Sequence, residues 1–191
     1  MSTQLTATRL TPEEYLAAER ESEFKSEYVE GVVYAMTGAS VSHIQVVLNI
    51  SSELKGQLRG RSCLVLPSEM KVKLPDSRKF FYPDIVVICG QPAFHDERRD
   101  IIENPLLLIE VLSESTEKFD RGAKFQAYQT LESLREYVLV AQDRPIVEQY
   151  VRGDGGTWIY SATIGIESTL RLMSIECVLR LADVYENVEL G

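Results

Sequence analysis

Two acidic residues stand where their neighbours leave little room for charge. Pro105–Leu112 reads Pro-Leu-Leu-Leu-Ile-Glu-Val-Leu, a continuous apolar run of the kind that becomes a strand buried on both faces. Glu110 sits inside it. An ionised carboxylate in that position costs several kcal/mol unless a cation compensates it. Tyr82-Pro83-Asp84-Ile85-Val86-Val87-Ile88 repeats the pattern, with Asp84 opening an apolar strand at an end that a loop could expose. Two acids on two central strands suit Mg²⁺ or Mn²⁺, which take hard oxygen ligands and keep several waters. Such an ion polarises a phosphoryl oxygen and lowers the pKa of a bound water. The competing reading is that a buried Lys or Arg pairs with Glu110 and the pair only shapes the core. If the two strands are adjacent, repulsion between the acids favours a shared cation.

Asp120, Lys124 and Tyr128 follow at steps of four and share one face of a predicted helix, with Gln126 to one side. Spacing alone suggests an ordinary exposed Asp–Lys pair worth a few tenths of a kcal/mol. The helix, however, starts directly after the strand that bears Glu110, which puts its first turns beside that strand's carboxyl end. A lysine there can hold an attacking water or stabilise charge developing on a phosphoryl group.

These groups need a scaffold. Thr11-Pro12-Glu13-Glu14 carries a Thr cap, a Pro at the first helical position and a Glu placed for a capping box, predicting a helix to about Glu19. Lys25–Glu30 and Val32–Thr37 flank Gly31 as a hairpin with Glu27 on its first arm. Ser40 caps a longer helix to about Arg59, striped by His43, Val47, Ile50, Leu54 and Leu58. Cys63–Leu66, Glu69–Leu74 and Asp84–Cys89 read as strands, with a turn over Pro75–Lys79. A looser charged stretch, Asp96–Glu103, leads to the Leu106–Leu112 strand. A second helix is expected over Lys118–Glu132, then strands at Tyr137–Ala141, Ile146–Arg152 and Trp158–Ser161. Asp154-Gly155-Gly156 turns the last two into a hairpin, and Leu179–Asn187 carries a short helix. One helix on each side of a central mixed sheet is the simplest architecture for this order.

The 191 residues carry 45% hydrophobic and 26% charged side chains with a net charge of −9, which fits one globular domain over 1–191. No apolar run approaches a membrane span and the first residues lack an apolar signal core, so a cytoplasmic location without membrane association is expected. Cys63, Cys89 and Cys177 are widely spaced among apolar neighbours and read as buried thiols, not a disulfide frame or zinc site. The acidic charge argues against holding nucleic acid on a broad basic surface, though not against contact at one metal-loaded point. No internal repeat or low-complexity tract appears.

Tyr82-Pro83-Asp84, Leu107-Leu108-Ile109-Glu110-Val111-Leu112-Ser113, Ser115-Thr116, Asp120, Lys124 and Tyr128 together resemble the Uma family, long catalogued as a domain of unknown function and placed among restriction-type endonucleases in the PD-(D/E)xK nuclease superfamily. The likeness runs from about Thr11 to Val184, taking in Glu27-Tyr28-Val29-Glu30-Gly31 and His43. It implies a restriction-endonuclease-like fold, a central mixed sheet flanked by helices, with Asp84 and Glu110 as Mg²⁺ or Mn²⁺ ligands. One position departs from the superfamily pattern. The Lys expected two residues after the Glu is Leu112, and the resemblance implies that Lys124, on the next helix, takes that role. Glu27 matches an acid that many superfamily members use as an extra ligand, with Glu30 the alternative. His43 is either a general base or a hydrogen-bonded core histidine, and His95 lies in a polar loop.

The reading that follows is a metal-dependent endonuclease hydrolysing DNA, with Asp84, Glu110, Lys124 and Glu27 as its catalytic set, acting as a homodimer because a duplex has two strands. The alternative is an inactive nuclease-fold module that binds nucleic acid or a protein partner, motivated by Leu112 and the acidic charge. A glycoside hydrolase is set aside, because aromatics are 8% with a single Trp158 and such clefts want aromatic platforms.

Overall fold

In the computed structural model, residues 9–76 and 78–191 are described. Helix α1 spans Pro12–Glu21 and starts as expected: the Thr11 hydroxyl accepts from the Glu14 amide while the Glu14 carboxylate accepts from the Thr11 amide. Strands β1 (Ser26–Val29) and β2 (Val32–Ala35) form a hairpin. Its turn holds Glu30 at φ 50° and Gly31 at φ 96°, the left-handed pair that matches the twist of the flanking strands. At Gly31 a Cβ would also come within 3.0 Å of the Arg9 side chain.

Helix α2 (Val41–Gln57) is capped by the Ser40 hydroxyl, which accepts from the His43 amide. Then come β3 (Cys63–Pro67), β4 (Lys71–Lys73), β5 (Lys79–Phe81), β6 (Ile85–Cys89), β7 (Ile101–Ile102) and β8 (Leu107–Leu112). A helical run follows in three abutting pieces: α3 (Glu117–Phe119), a π-helical turn (Asp120–Lys124) and α4 (Phe125–Tyr128). The remainder is β9 (Glu136–Ala141), β10 (Ile146–Arg152), β11 (Trp158–Ile164), β12 (Thr169–Leu172), β13 (Cys177–Arg180) and α5 (Leu181–Val184).

The central sheet has six strands in the order β11-β10-β9-β8-β6-β3, antiparallel except for the β8–β9 pair. A five-stranded sheet, β2-β1-β5-β4-β7, lies beside it, and β12–β13 form a separate hairpin. This is a mixed α+β architecture, as the sequence led us to expect. Side chains alternate across a strand, so β8 serves two cores. Leu107, Ile109 and Val111 join Ile85 and Val87 under α2, where Val46, Val47, Ile50 and Leu54 pack. Leu108 and Leu112 face the other way, with Val86 and Ile88, against Phe125 and Tyr128. Glu110 falls between Leu108 and Leu112 on this second face, under the π turn and α4. Helices therefore cover both faces of the sheet.

Several elements depart from expectation. The second helix ends at Tyr128, not Glu132, and its middle is a π turn; Leu131 and Leu134 are drawn into the core as the chain turns back. Strands β5 and β7 come from segments read as turn and irregular, because three- and two-residue pairings carry no periodicity of their own. Within the expected Pro75–Lys79 turn, Ser77 lies outside the described residues. Strands β12 and β13 were not expected, although Leu170 and Leu172 alternate with Thr169 and Arg171 as a half-buried strand should.

The cysteine expectation fails at two of three positions. Cys63 and Cys89 are directly opposed in the β3–β6 register and form a disulfide, while Cys177 is free and buried. Residues 26 apart in sequence become cross-strand neighbours only through sheet register. The pairing removes cysteine usage as an argument for a reducing compartment. Among the described residues, no helix is long and apolar enough to cross a membrane.

Candidate functional site

Continued by one pair, the Ile85↔Ile109 register puts Asp84 opposite Glu110, so the two acids occupy neighbouring central strands. The Asp84 carboxylate accepts from the Val111 amide (2.7 Å) through Oδ2, and its Oδ1 lies 2.9 Å from His43 Nε2. For that second contact to be a hydrogen bond with ionised Asp84, Nε2 must carry the proton. His43 is thus hydrogen-bonded as one reading required, yet it leaves the core stripe and reaches the site. Val46 takes its place among the buried residues of α2.

Glu110 is met by a cation from the helical run. Lys124 Nζ lies 2.9 Å from Glu110 Oε1, 3.1 Å from Glu27 Oε1 and 3.4 Å from Asp120 Oδ1. All four side chains are buried or nearly so. The Tyr128 hydroxyl donates to Glu110 Oε1 at 3.1 Å, and the Tyr137 hydroxyl donates to the Asp120 carbonyl. The expected Asp120–Lys124 pair exists but is buried, not exposed. The π turn lies between its two members; wide turns of this kind recur at functional sites.

Glu27 and Glu30 separate cleanly. Glu27 lies on β1 and points inward, accepting from the Tyr82 amide at 3.1 Å while it contacts Lys124. Glu30 sits in the hairpin turn, exposed and paired with Lys79 at 3.3 Å. Gln126 is exposed, and Leu112 is buried core. His95 belongs to a separate cluster with Lys73 and Glu103.

Lysine 124 partners Glu110, the arrangement under which a buried acid could be purely structural. One ammonium serves three carboxylates, with Asp84 a fourth acid opposite Glu110. Burial pushes the Glu110 carboxyl well above the usual carboxylate range; Lys124 pulls it down, but Asp120, Asp84 and Glu27 push it further up. Burial alone would lower the Lys124 ammonium, yet Glu110 and Glu27 outweigh it and hold Lys124 firmly charged. The cluster therefore calls for a further positive charge, a proton or a metal ion.

Asp84, Glu110, Glu27, Asp120, Lys124 and His43 line one open cleft of about 1960 Å³. Among the described residues, no three His, Cys, Asp or Glu side chains are grouped as a ready-made metal cage. Sequence reasoning missed Glu19 and Lys71 on the same cleft. Glu19 is buried and accepts from the Tyr82 hydroxyl and from Ser26, and Lys71 is buried with Asp100 3.9 Å away. The short strand around Lys71 gives no periodic signal to mark it.

The fold has a solved counterpart. A crystal structure of a "putative nuclease" from Anabaena variabilis ATCC 29413 superposes with a TM-score of 0.75, covering 92% of this chain and 97% of that one at 17% identity. The chain belongs to the Uma2 family, whose model, described as "Putative restriction endonuclease", matches residues 12–182. Two uncharacterized proteins of Synechocystis sp. are also similar. One is 35% identical over 156 residues, 82% of this chain and 88% of the relative. The other is 34% identical over 152 residues, 79% and 78%.

Proposed function

We propose that the cleft is the active centre of a metal-dependent endonuclease that hydrolyses DNA phosphodiester bonds. The observation that carries this reading is the surplus of carboxylates over cations around Glu110. Asp84 and Glu110 would hold Mg²⁺ or Mn²⁺, and Glu27 would add a further oxygen. When bound, the ion supplies Lewis acidity toward a phosphoryl oxygen and acidifies a water.

The chain's own groups do the rest. The Val111 amide and His43 fix the Asp84 carboxylate, so its orientation does not depend on a loop. Tyr128 fixes Glu110 in the same way. Lys124, held charged among three acids, would orient the attacking water and offset charge developing on the phosphoryl group. It takes the part that position 112 cannot, since Leu112 is packed in the core. Two chains acting together would serve the two strands of a duplex, and a homodimer is proposed on that ground.

Incubation with plasmid and linear DNA in Mg²⁺ or Mn²⁺ tests the reading. Cleavage is expected, lost in Asp84→Ala and in Glu110→Gln, weakened in Glu27→Gln and unchanged in Glu30→Gln. Wild type that leaves DNA intact, or Asp84→Ala that cuts equally well, overturns it. Leu112 favours one second reading, an inactive nuclease-fold module. Calorimetric titration decides between the two, because Mn²⁺ binding lost in Glu110→Gln has no place in such a module.

A further inference from the structure

Strand β11 is the outer strand of the six-stranded sheet. No strand pairs with the free side of β11 among the described residues. Natural sheet edges are blunted by charge, proline, a bulge or shortness, because unpaired amides and carbonyls template pairing with another chain. The opposite edge, β3, ends in Pro67 and is tied to β6 by the disulfide. Strand β11 has none of these devices. Trp158-Ile159-Tyr160-Ser161-Ala162-Thr163-Ile164 is seven residues long, without charge or proline, and it pairs with β10 in unbroken register from Arg152↔Trp158 to Ile146↔Ile164. It also exposes Ile159, Tyr160 and Ile164 at 62%, 53% and 65%. In a chain of net charge −9, this uncharged strip is where two copies can meet strand to strand without facing carboxylates.

We propose that β11 is a dimer interface, pairing antiparallel with β11 of a second copy about a two-fold axis at Ser161, so that one sheet runs through both chains. Ser161 is the middle residue of the strand, so this centre alone engages all seven residues of both copies. Tyr160 then faces Ala162 of the second copy, Ile159 faces Thr163, and Trp158 faces Ile164 at each end. β-branched and aromatic cross-strand pairs of this kind stabilise a sheet. An isologous contact of this type closes on itself and stops at two chains.

Sedimentation velocity on the full chain, from micromolar to hundred-micromolar concentration, reads the association directly. A monomer–dimer equilibrium is expected. Ile159→Lys should weaken dimerisation at least about tenfold while leaving the thermal midpoint of unfolding in place at concentrations low enough for wild type to be monomeric, since that side chain is exposed in the single chain. Register is read by oxidative cross-linking: Ser161→Cys should join two chains, because each copy meets itself there, and Thr163→Cys should not. A chain that sediments as a monomer throughout overturns the proposal. So does a dimer indifferent to Ile159→Lys, or one that cross-links equally at both positions. None of these readouts involves cleavage, so a failed nuclease assay leaves the interface standing.

Discussion

Lys124 Nζ, from the π turn, lies 2.9 Å from Glu110 Oε1 in the middle of β8, and both side chains are about 5% exposed. One cation thus sits at the centre of a buried acidic cluster, and the two partners should respond to mutation in opposite directions.

Lys124→Met strands Glu110, Glu27 and Asp120 without a cation. Removing one partner of a buried pair costs about 3–5 kcal/mol, and urea unfolding should show a loss of that order. Glu110→Gln instead removes one of the crowded acids and leaves Lys124 two partners. It should raise metal-free stability by about 0.5–2 kcal/mol while abolishing Mn²⁺ binding in the same preparation. A variant that loses both stability and metal binding would make Glu110 a structural residue first.

The raised Glu110 carboxyl fixes the sign of a pH dependence. The folded state holds this proton more tightly than the unfolded chain does, so the stabilisation is complete at pH below the ordinary glutamate value of about 4.3. It is lost as pH rises toward and through the folded value, with a slope of at most about 1.4 kcal/mol per pH unit for one proton. Metal-free protein should therefore lose stability on going from mildly acidic to neutral pH, as followed by urea unfolding. That slope should vanish in Glu110→Gln, and saturating Mn²⁺ should suppress it, because the ion takes the place of the proton.

The His43 ring lies 2.9 Å from Asp84, and we propose that it positions that carboxylate. Partners that orient a metal-binding side chain typically contribute about 10–100-fold in affinity, and His43→Ala should weaken Mn²⁺ binding by that factor. His43→Gln should recover part of the loss if its amide can reach Asp84. Far-ultraviolet circular dichroism and the unfolding midpoint should stay near wild type. Unchanged Mn²⁺ affinity in His43→Ala would reduce the contact to packing.

The Cys63–Cys89 bond closes a loop of 26 residues. Chain-entropy reasoning assigns such a loop about 3.5 kcal/mol, so Cys63→Ser or reduction should lower stability by roughly that amount. Cys177→Ser, which breaks no disulfide, should cost less. Mass spectrometry of protein alkylated without reductant counts the free thiols, and a count of one is expected.

Much of this molecule was legible from local signals. The capping box at Thr11, the Ser40 cap, the 3.6-residue stripe of α2 and the apolar runs of β6, β8 and β9 each depend on a few neighbouring residues, and each element appears close to its expected bounds. Asp84 and Glu110 were conspicuous for the same reason: a charge inside an apolar run is anomalous before any fold is known. Their location on adjacent strands matched the assumption on which the shared-cation argument depended.

Long-range pairing decided what local sequence could not. The choice of Glu27 over Glu30 came from the hairpin's orientation against β5, which turned one acid toward Lys124 and the other toward Lys79. Asp120 and Lys124 looked like surface residues because spacing cannot reveal that a helix packs over a carboxylate. His43 lay on an apolar stripe, and only the placement of α2 over β6 brought it to Asp84. The Cys63–Cys89 bond and the bare edge of β11 are likewise properties of register and strand order. The sequence by itself determined which residues are costly to bury, since that follows from side-chain chemistry. Tertiary structure alone decided which of them share one cation, because electrostatic coupling depends on distances of a few ångströms between residues far apart in the chain.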